Sequence, residues 1–167
     1  MKKALTLSLL AAVAVLLLLP ATAPALTPTA TEKQVINLIN KERTKRGLAK
    51  VKFKSSLTSA ARSHSTEMAK RRKLTHYSAN GNSVATRLRK KGYKSSGYRY
   101  WSVAENIARA KKGTLAATPT VIVANWMRSS AHRKNILKRA FRDVGVGIRT
   151  SSDRKWYYTL DLGRRKG

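Results

Sequence analysis

The sequence predicts an α+β domain in which helices come first and a β-hairpin closes the chain. Three observations predict it. Apolar residues recur at helical spacing in the first half, with Leu57, Ala60, Ala61, His64 and Met68 following i, i+3, i+4, i+7 and i+11. In the last third the period changes to two: Val144, Val146 and Ile148 alternate with Gly145 and Gly147, and Trp156, Tyr158, Leu160 and Leu162 alternate with Tyr157, Thr159 and Asp161. Between these runs, Ser151, Ser152, Asp153 and Arg154 supply a polar connection suited to an antiparallel hairpin.

The elements follow in order. Lys2 and Lys3, an apolar run over residues 4–19 and an Ala23-Pro24-Ala25 exit have the layout of a secretory signal peptide, with cleavage expected after Ala25. The run is shorter than the roughly 20 residues that span a bilayer, and an uncleaved anchor is the alternative reading. Residues 26–31 read as a Pro/Thr linker, and Thr31 with Gln34 predicts a capping box for a first helix carrying Val35, Ile36, Leu38 and Ile39. Gly47 suits the end of that helix, residues 51–53 suit a short strand, and Ser55 or Ser56 suits the cap of a second helix. This second helix ends in the basic run Lys70-Arg71-Arg72-Lys73, favourable against its dipole. The polar segment LTHYSANGNS presents His76, after which Asn82 or Ser83 can cap a short helix ending at Gly92. Residues 93–102 read as irregular and residues 102–107 as extended. Thr118-Pro119 opens another helix, interrupted by Ser129-Ser130 just before His132.

Composition sets bounds on function. The 167 residues carry 36 Lys plus Arg against seven acidic residues, a net charge of +29 that falls by two to +27 if Lys2 and Lys3 are removed with a signal peptide. Such a chain adheres to anionic polymers and surfaces. Export favours cell-wall polymers or membrane lipid headgroups over genomic nucleic acid. Cysteine is absent, which excludes disulfides, thiolate metal sites and bacterial lipoprotein anchoring. A mature chain of residues 26–167 suits one domain that buries roughly two-thirds of its unfolded surface.

Two segments concentrate the scarce polar chemistry: AENIA (residues 104–108) and NWMRSSAHRKNIL (residues 125–137). They set Glu105 and His132 among apolar, aromatic and amide neighbours. With His76 they form a trio that could bind zinc through two imidazoles and a carboxylate. The same trio could work without metal, Glu105 orienting a histidine that acts as base. None stands at the i, i+4 spacing of a metalloprotease helix, so spacing alone selects neither. His64, on the apolar face of the second helix with Glu67 three residues on, reads as a core-edge histidine bonded to a neighbour. Asp143 and Asp161 are expected to meet arginines or cap turns. Tyr93, Tyr98, Tyr100 and Trp101, interleaved with Lys94 and Arg99, have the composition of a stacking surface for nucleic acid, and equally of loop packing.

Taken together, the segments resemble the CAP superfamily (cysteine-rich secretory proteins, antigen 5 and pathogenesis-related 1) in its cysteine-free bacterial, SCP-like form. LINKERTKRGLAKVKF is similar to the opening helix and its exit, and ARSHSTEMAKRRKLTHYS to the second helix with its histidine loop. AENIA, NWMRSSAHRKNIL, DVGVGI and WYYTLDLG follow in the family's order. The resemblance spans about residues 32–163 and leaves residues 164–167 as a basic tail. It implies a three-layer α-β-α sandwich with a central antiparallel sheet and a surface cleft lined by His76, Glu105, Val121 and His132. Within it, His76 and His132 correspond to histidines that can hold a divalent metal such as zinc, and Glu105 to the first of two acidic residues. The second acidic position falls on Val121, which removes a charge and a hydrogen-bond acceptor and leaves a weak metal site at most.

The expectation is a secreted or envelope-associated CAP-domain protein that binds rather than catalyses. Its expected partners are anionic cell-wall polymers or membrane lipid headgroups, with a small lipid as a further ligand. The alternatives are a metal-assisted hydrolase or protease using His76, Glu105 and His132, and a cationic polyanion-binding or antimicrobial protein. In the last case the charges over residues 70–73 and 87–91 would matter and the cleft would not.

Overall fold

The computed structural model describes residues 26–167, so the signal segment and its cleavage site lie outside the described residues. The elements run α1 (Ala30–Thr44), β1 (Lys52–Phe53), α2 (Ser55–Arg71), α3 (Val84–Lys90), β2 (Tyr100–Lys111), a 3₁₀ turn (Leu115–Ala117), α4 (Pro119–Arg128), α5 (Ser130–Ile136), β3 (Asp143–Thr150) and β4 (Lys155–Lys166). The sheet order is β1-β3-β4-β2. β3, β4 and β2 are antiparallel as expected, and the two-residue β1 joins the far edge parallel to β3.

Alternation along the hairpin builds three layers. Val144, Val146, Tyr158, Leu160 and Leu162 face α1 and α4 and form the main core with Ile36, Ile39, Ile122 and Trp126. The opposite face carries α2 and α3. There Gly145 and Gly147 let α2 lie directly on the strand: a Cβ on either would stand 2.3 Å from α2 backbone, at Leu57 and Thr58 or at Ala61 and Arg62. The predicted apolar stripe of α2, from Leu57 to Met68, is buried.

Local boundaries differ from the sequence expectation where caps compete. Thr29, not Thr31, caps α1: its Oγ1 accepts from the Glu32 N–H while Glu32 Oε2 accepts from the Thr29 N–H at 2.8 Å, so the helix begins inside the expected linker. A carboxylate completes this box better than Gln34 could, because it also pairs with Arg62 at 2.5 Å. α2 starts at Ser55 behind Lys54, without a side-chain cap. Ser83 caps α3 and Thr118 caps α4, with Pro119 in its first turn. Residues 164–166, expected as a basic tail, continue β4 and pair with residues 100–102.

Two buried cations are structural. Arg43 is fully buried and donates to the carbonyls of Ala49, Ile136, Lys138 and Phe141 at 2.7–3.1 Å, tying α1 to the exit of α5. Arg87 is also buried and belongs to the site described next.

Candidate functional site

The site is built on β2, an edge strand of the sheet. Glu105 and Asn106 are adjacent on β2 and point to opposite faces, so each grips a different helical layer. Glu105 faces α2 and α3. Its Oε2 accepts from Arg87 Nη2 at 2.6 Å, and its Oε1 accepts from His76 Nδ1 at 2.8 Å. Arg87 in turn donates to the His76 carbonyl at 2.7 Å and the Asn82 carbonyl at 3.1 Å, fixing the loop that carries the histidine. Because the carboxylate can only accept, the His76 proton sits on Nδ1 and Nε2 is left as the outward nitrogen. The His76 side chain is 47% exposed, whereas Glu105 is buried beneath it.

Asn106 faces the other layer. Its Nδ2 donates to the His132 carbonyl at 3.0 Å, and its Oδ1 accepts from Asn135 at 2.8 Å, pinning α5 to the strand. Asn135 also donates to the Glu105 carbonyl at 3.3 Å. Trp126 adds a bond from Nε1 to the Ile107 carbonyl at 3.1 Å, fixing α4 beside it. Both conspicuous segments of the sequence thus meet at β2. Of the sequence-derived candidates, His76 and Glu105 touch directly, and His132 is joined to the same strand through its backbone. The His132 ring is half-buried, which lowers its pKa, and the neighbouring His76 acts in the same direction. Val121 lies half-buried in the first turn of α4, its N–H held by Thr118 Oγ1, and contributes no polar group to this set.

Three further groups complete the electrostatics. Asp161 stands opposite Glu105 across the β2–β4 ladder and is 1% exposed. Burial raises its pKa, the neighbouring Glu105 charge raises it further, and Arg87 opposes both, leaving it well above the usual carboxylate range. His64 Nε2 donates to the Thr75 carbonyl at 2.7 Å and stands 3.9 Å from Glu105 Oε1. Burial lowers its pKa, so it is a neutral imidazole in the core. Its bond to Thr75 replaces the expected one to Glu67, which lies 3.9 Å from Nδ1 and holds the Ala79 N–H. Of the two aspartates expected to meet arginines or cap turns, neither ion-pairs with an arginine among the described residues, although the Arg87 charge acts on Asp161. Asp143 accepts from Tyr93 OH at 2.6 Å, and Tyr93 is fully buried rather than part of an open stacking surface.

Above this buried network the surface is recessed on both sides of residues 103–104. One recess of about 440 Å³ is lined by His76, Tyr77, Ser83, Val84, Ala85, Val103 and Ala104. The other, of about 470 Å³, is lined by Val103, Ala104, Lys134, Asn135, Leu137 and Lys138. They share a floor, so the strand edge runs between an apolar, histidine-bearing side and a cationic side. Among the described residues no group of three or more His, Asp or Glu side chains is placed to share a metal ion. Both Glu105 oxygens are occupied, leaving imidazoles as the available donors. That set does not fit a tightly held zinc with three or four protein ligands.

A three-layer α-β-α domain with paired Glu-Asn and Trp–Ser–His segments at an edge strand defines the class. The chain belongs to the CAP family of cysteine-rich secretory proteins, whose profile matches residues 36–162. It is 37% identical over 119 residues to the Bacillus subtilis protein YkwD, covering 71% of this chain and 42% of that protein. It is 33% identical over 137 residues to the B. subtilis membrane protein YlbC, covering 82% of this chain and 35% of that one. Both relatives are described as uncharacterized, and the chain spans less than half the length of either. Among solved structures, an extracellular SCP-domain protein of Bacillus anthracis aligns with a TM-score of 0.65 and 25% identity over 80% of this chain and 40% of its own. An outer surface protein of Borrelia burgdorferi shares the fold, with a TM-score of 0.67 and 20% identity over 80% of this chain and 92% of its own. This is a bacterial-type CAP-domain protein.

Sequence reasoning missed Arg87, Asp161, Asn106 and Asn135 as parts of the site. Asn106 and Asn135 were legible in principle, since each lies inside one of the two conspicuous segments. Arg87 was hidden in a basic run, and Asp161 in the alternation of β4.

Proposed function

We propose that this protein works outside the cell, at the bacterial envelope, as an adhesive CAP domain that binds anionic wall polymers rather than transforming a substrate. One observation carries the reading. All seven acidic side chains are engaged or buried within the fold, so the large cationic excess has no internal partner. An apolar stretch with a signal-peptide layout, and relatives described as extracellular or outer-surface, support the location. The buried network at β2 supports a positioning role for Glu105: each of its oxygens is held, one by Arg87 and one by His76, and its side chain is buried away from the surface.

Retention on purified cell walls, before and after chemical removal of their anionic polymers, tests this. Retention that falls steeply between low and moderate salt, and disappears from stripped walls, is the expected result. Retention unchanged by salt or by stripping overturns it.

The apolar wall of the first recess, formed by Val84, Ala85, Val103 and Ala104, favours a second reading, a small lipid seated beside His76. Ligand recovered by solvent extraction, and absent from Val103→Glu, would establish that role. A divalent metal such as zinc would rest on His76 and His132 with water completing its shell. The hydrolase reading requires more than this donor set offers. Hydrolysis abolished both by chelator and by His132→Ala would restore it.

A further inference from the structure

Beyond the β2 recesses, the end of the sheet formed by the start of β2, the exit of α3 and the end of β4 carries an ordered alternation of cations and rings. The Arg89 guanidinium lies 5.3 Å from the Trp101 ring centre. The Trp101 and Tyr93 rings are 6.4 Å apart. The Arg165 guanidinium lies between two rings, 4.4 Å from Tyr93 and 4.8 Å from Tyr98. Register sets this order, because Trp101 pairs with Arg165 and Tyr100 with Lys166 across the β2–β4 ladder.

The ladder is anchored from below. Tyr93 is fully buried, its hydroxyl is held by Asp143, and its carbonyl accepts from Trp101 Nε1 at 3.2 Å. Arg89, Lys90, Lys91, Arg165 and Lys166 form no ion pair with a carboxylate among the described residues. A guanidinium held against rings is restrained in orientation; Arg89 is exposed and Arg165 part-exposed, and a planar guanidinium suits phosphate oxygens. Tyr98 and Tyr100 are exposed to 40% and 41% beside these cations. Their spacing within the strand-and-loop edge offers apolar faces next to charge.

We propose that this end of the molecule, centred on Arg89, Arg165, Tyr98 and Tyr100, is the seat for a phosphodiester-linked, sugar-bearing polymer of the envelope. The inference rests on the envelope-adhesion reading and locates its contact surface. The cations take the phosphates, and the exposed tyrosines take sugar faces. A single-stranded nucleic acid fits less well. Stacking of successive bases needs successive open ring faces, whereas Tyr93 is buried and Arg165 occupies one face of Tyr98. A membrane surface fits less well too. Among the described residues, the large exposed apolar groups at this end are the tyrosine rings Tyr98 and Tyr100, set beside cations, rather than aliphatic side chains that would enter the acyl boundary.

The test measures binding of the purified protein to four probes: glycosylated poly(glycerol phosphate), the same chain without sugars, a 20-nucleotide oligo-dT, and phosphatidylglycerol vesicles. The triple variant Arg89→Gln/Lys90→Gln/Arg165→Gln is compared with a control of equal charge change on other exposed lysines, Lys33→Gln/Lys50→Gln/Lys112→Gln. The patch variant is expected to bind the glycosylated polymer about tenfold or more weakly, and the control within about threefold. The salt dependence of binding should flatten more in the patch variant, by roughly one power of salt concentration for each phosphate left without its cation. Tyr98→Ala/Tyr100→Ala, at exposed positions that leave the core intact, should weaken binding to the glycosylated chain and leave the bare chain within about twofold. His76→Ala should bind like the parent protein.

Equal losses in the patch variant and the control overturn this seat while leaving charge-driven envelope adhesion standing. Absence of polymer binding by the parent protein overturns both. Tighter binding to oligo-dT or to vesicles, abolished in the tyrosine variant, overturns the assigned partner class.

Discussion

Glu105 and Asp161 stand directly opposite each other across the β2–β4 ladder, two buried carboxyl groups on the same face of the sheet. Among the described residues Arg87 ion-pairs only with Glu105, at 2.6 Å, and Asp161 Oδ1 has no hydrogen-bond partner. Two negative charges here would share one guanidinium in a dry environment, so the arrangement favours the neutral form of Asp161.

That asymmetry predicts a pH dependence of stability. The folded-state pKa of Asp161 is raised, by burial first and by Glu105 second. A raised carboxyl pKa contributes stability that is complete below the unfolded value, near 3.8, and is lost as pH rises through the folded value. Asp161→Asn keeps the shape but cannot ionise. Its stability relative to the parent protein should therefore increase as pH rises above about 4. Urea denaturation across pH 3 to 9 measures this. A constant difference at all pH values would refute the assignment.

Removing the cation should have the opposite effect. Arg87→Met leaves the buried Glu105 charge without its strongest partner and frees the loop carrying His76. Breaking a buried pair from one side costs about 3–5 kcal/mol. The double variant Arg87→Met/Glu105→Gln should recover part of that loss, because the stranded charge is gone. Denaturant midpoints of both single variants, the double variant and the parent give the coupling directly. Independent, additive losses would mean the pair is not a unit.

The contrast between what was legible and what was not follows from these residues. The helices and hairpin were readable because periodicity records burial: the α2 stripe from Leu57 to Met68 and the alternation from Val144 to Ile148 are direct imprints of the faces they pack. Glu105, His76 and His132 stood out because carboxylates and imidazoles are rare in this composition. Arg87 and Arg43 did not, because two buried arginines look like any other members of a set of 36 cations. Burial of a charge is decided by partners distant in sequence, here Glu105 for Arg87 and carbonyls of residues 136–141 for Arg43. The shift of the first cap from Thr31 to Thr29 has the same origin, since Arg62 on α2 selects Glu32 as the closing carboxylate.

Gly145 and Gly147 should be intolerant of even one methyl group. A Cβ at Gly145 would lie 2.3 Å from the backbone of Leu57 and Thr58, and backbone within a helix cannot step aside alone. Gly145→Ala must lift α2 from β3, and overpacking of this kind costs about 1–3 kcal/mol or more. Gly81→Ala is the informative comparison, because a Cβ there meets open space and only the positive φ of 76° resists it. Thermal denaturation should therefore show a much larger loss for Gly145→Ala than for Gly81→Ala. Similar losses at the two positions would mean that the close approach of α2 to the sheet is not the constraint.

The Glu32–Arg62 pair gives an acid-sensitive clasp between α1 and α2. Glu32 is 1% exposed, and both its oxygens accept from Arg62, at 2.9 and 2.5 Å. Burial alone would raise its pKa, but the Arg62 bonds and the Thr29 N–H outweigh burial and leave it lowered. A lowered carboxyl pKa contributes stability present above the unfolded value, near 4.5, and lost as pH falls through the folded value. Glu32→Gln should thus be less stable than the parent protein by roughly 1.5–3 kcal/mol at pH 7, in line with hydrogen bonds to charged groups. The gap should close as pH is lowered below about 4, because the parent protein then carries a neutral group at the same place. Denaturation midpoints of the two proteins that converge in acid would establish the clasp, and midpoints that run parallel from pH 7 to pH 3 would show that Glu32 acts only as a helix cap.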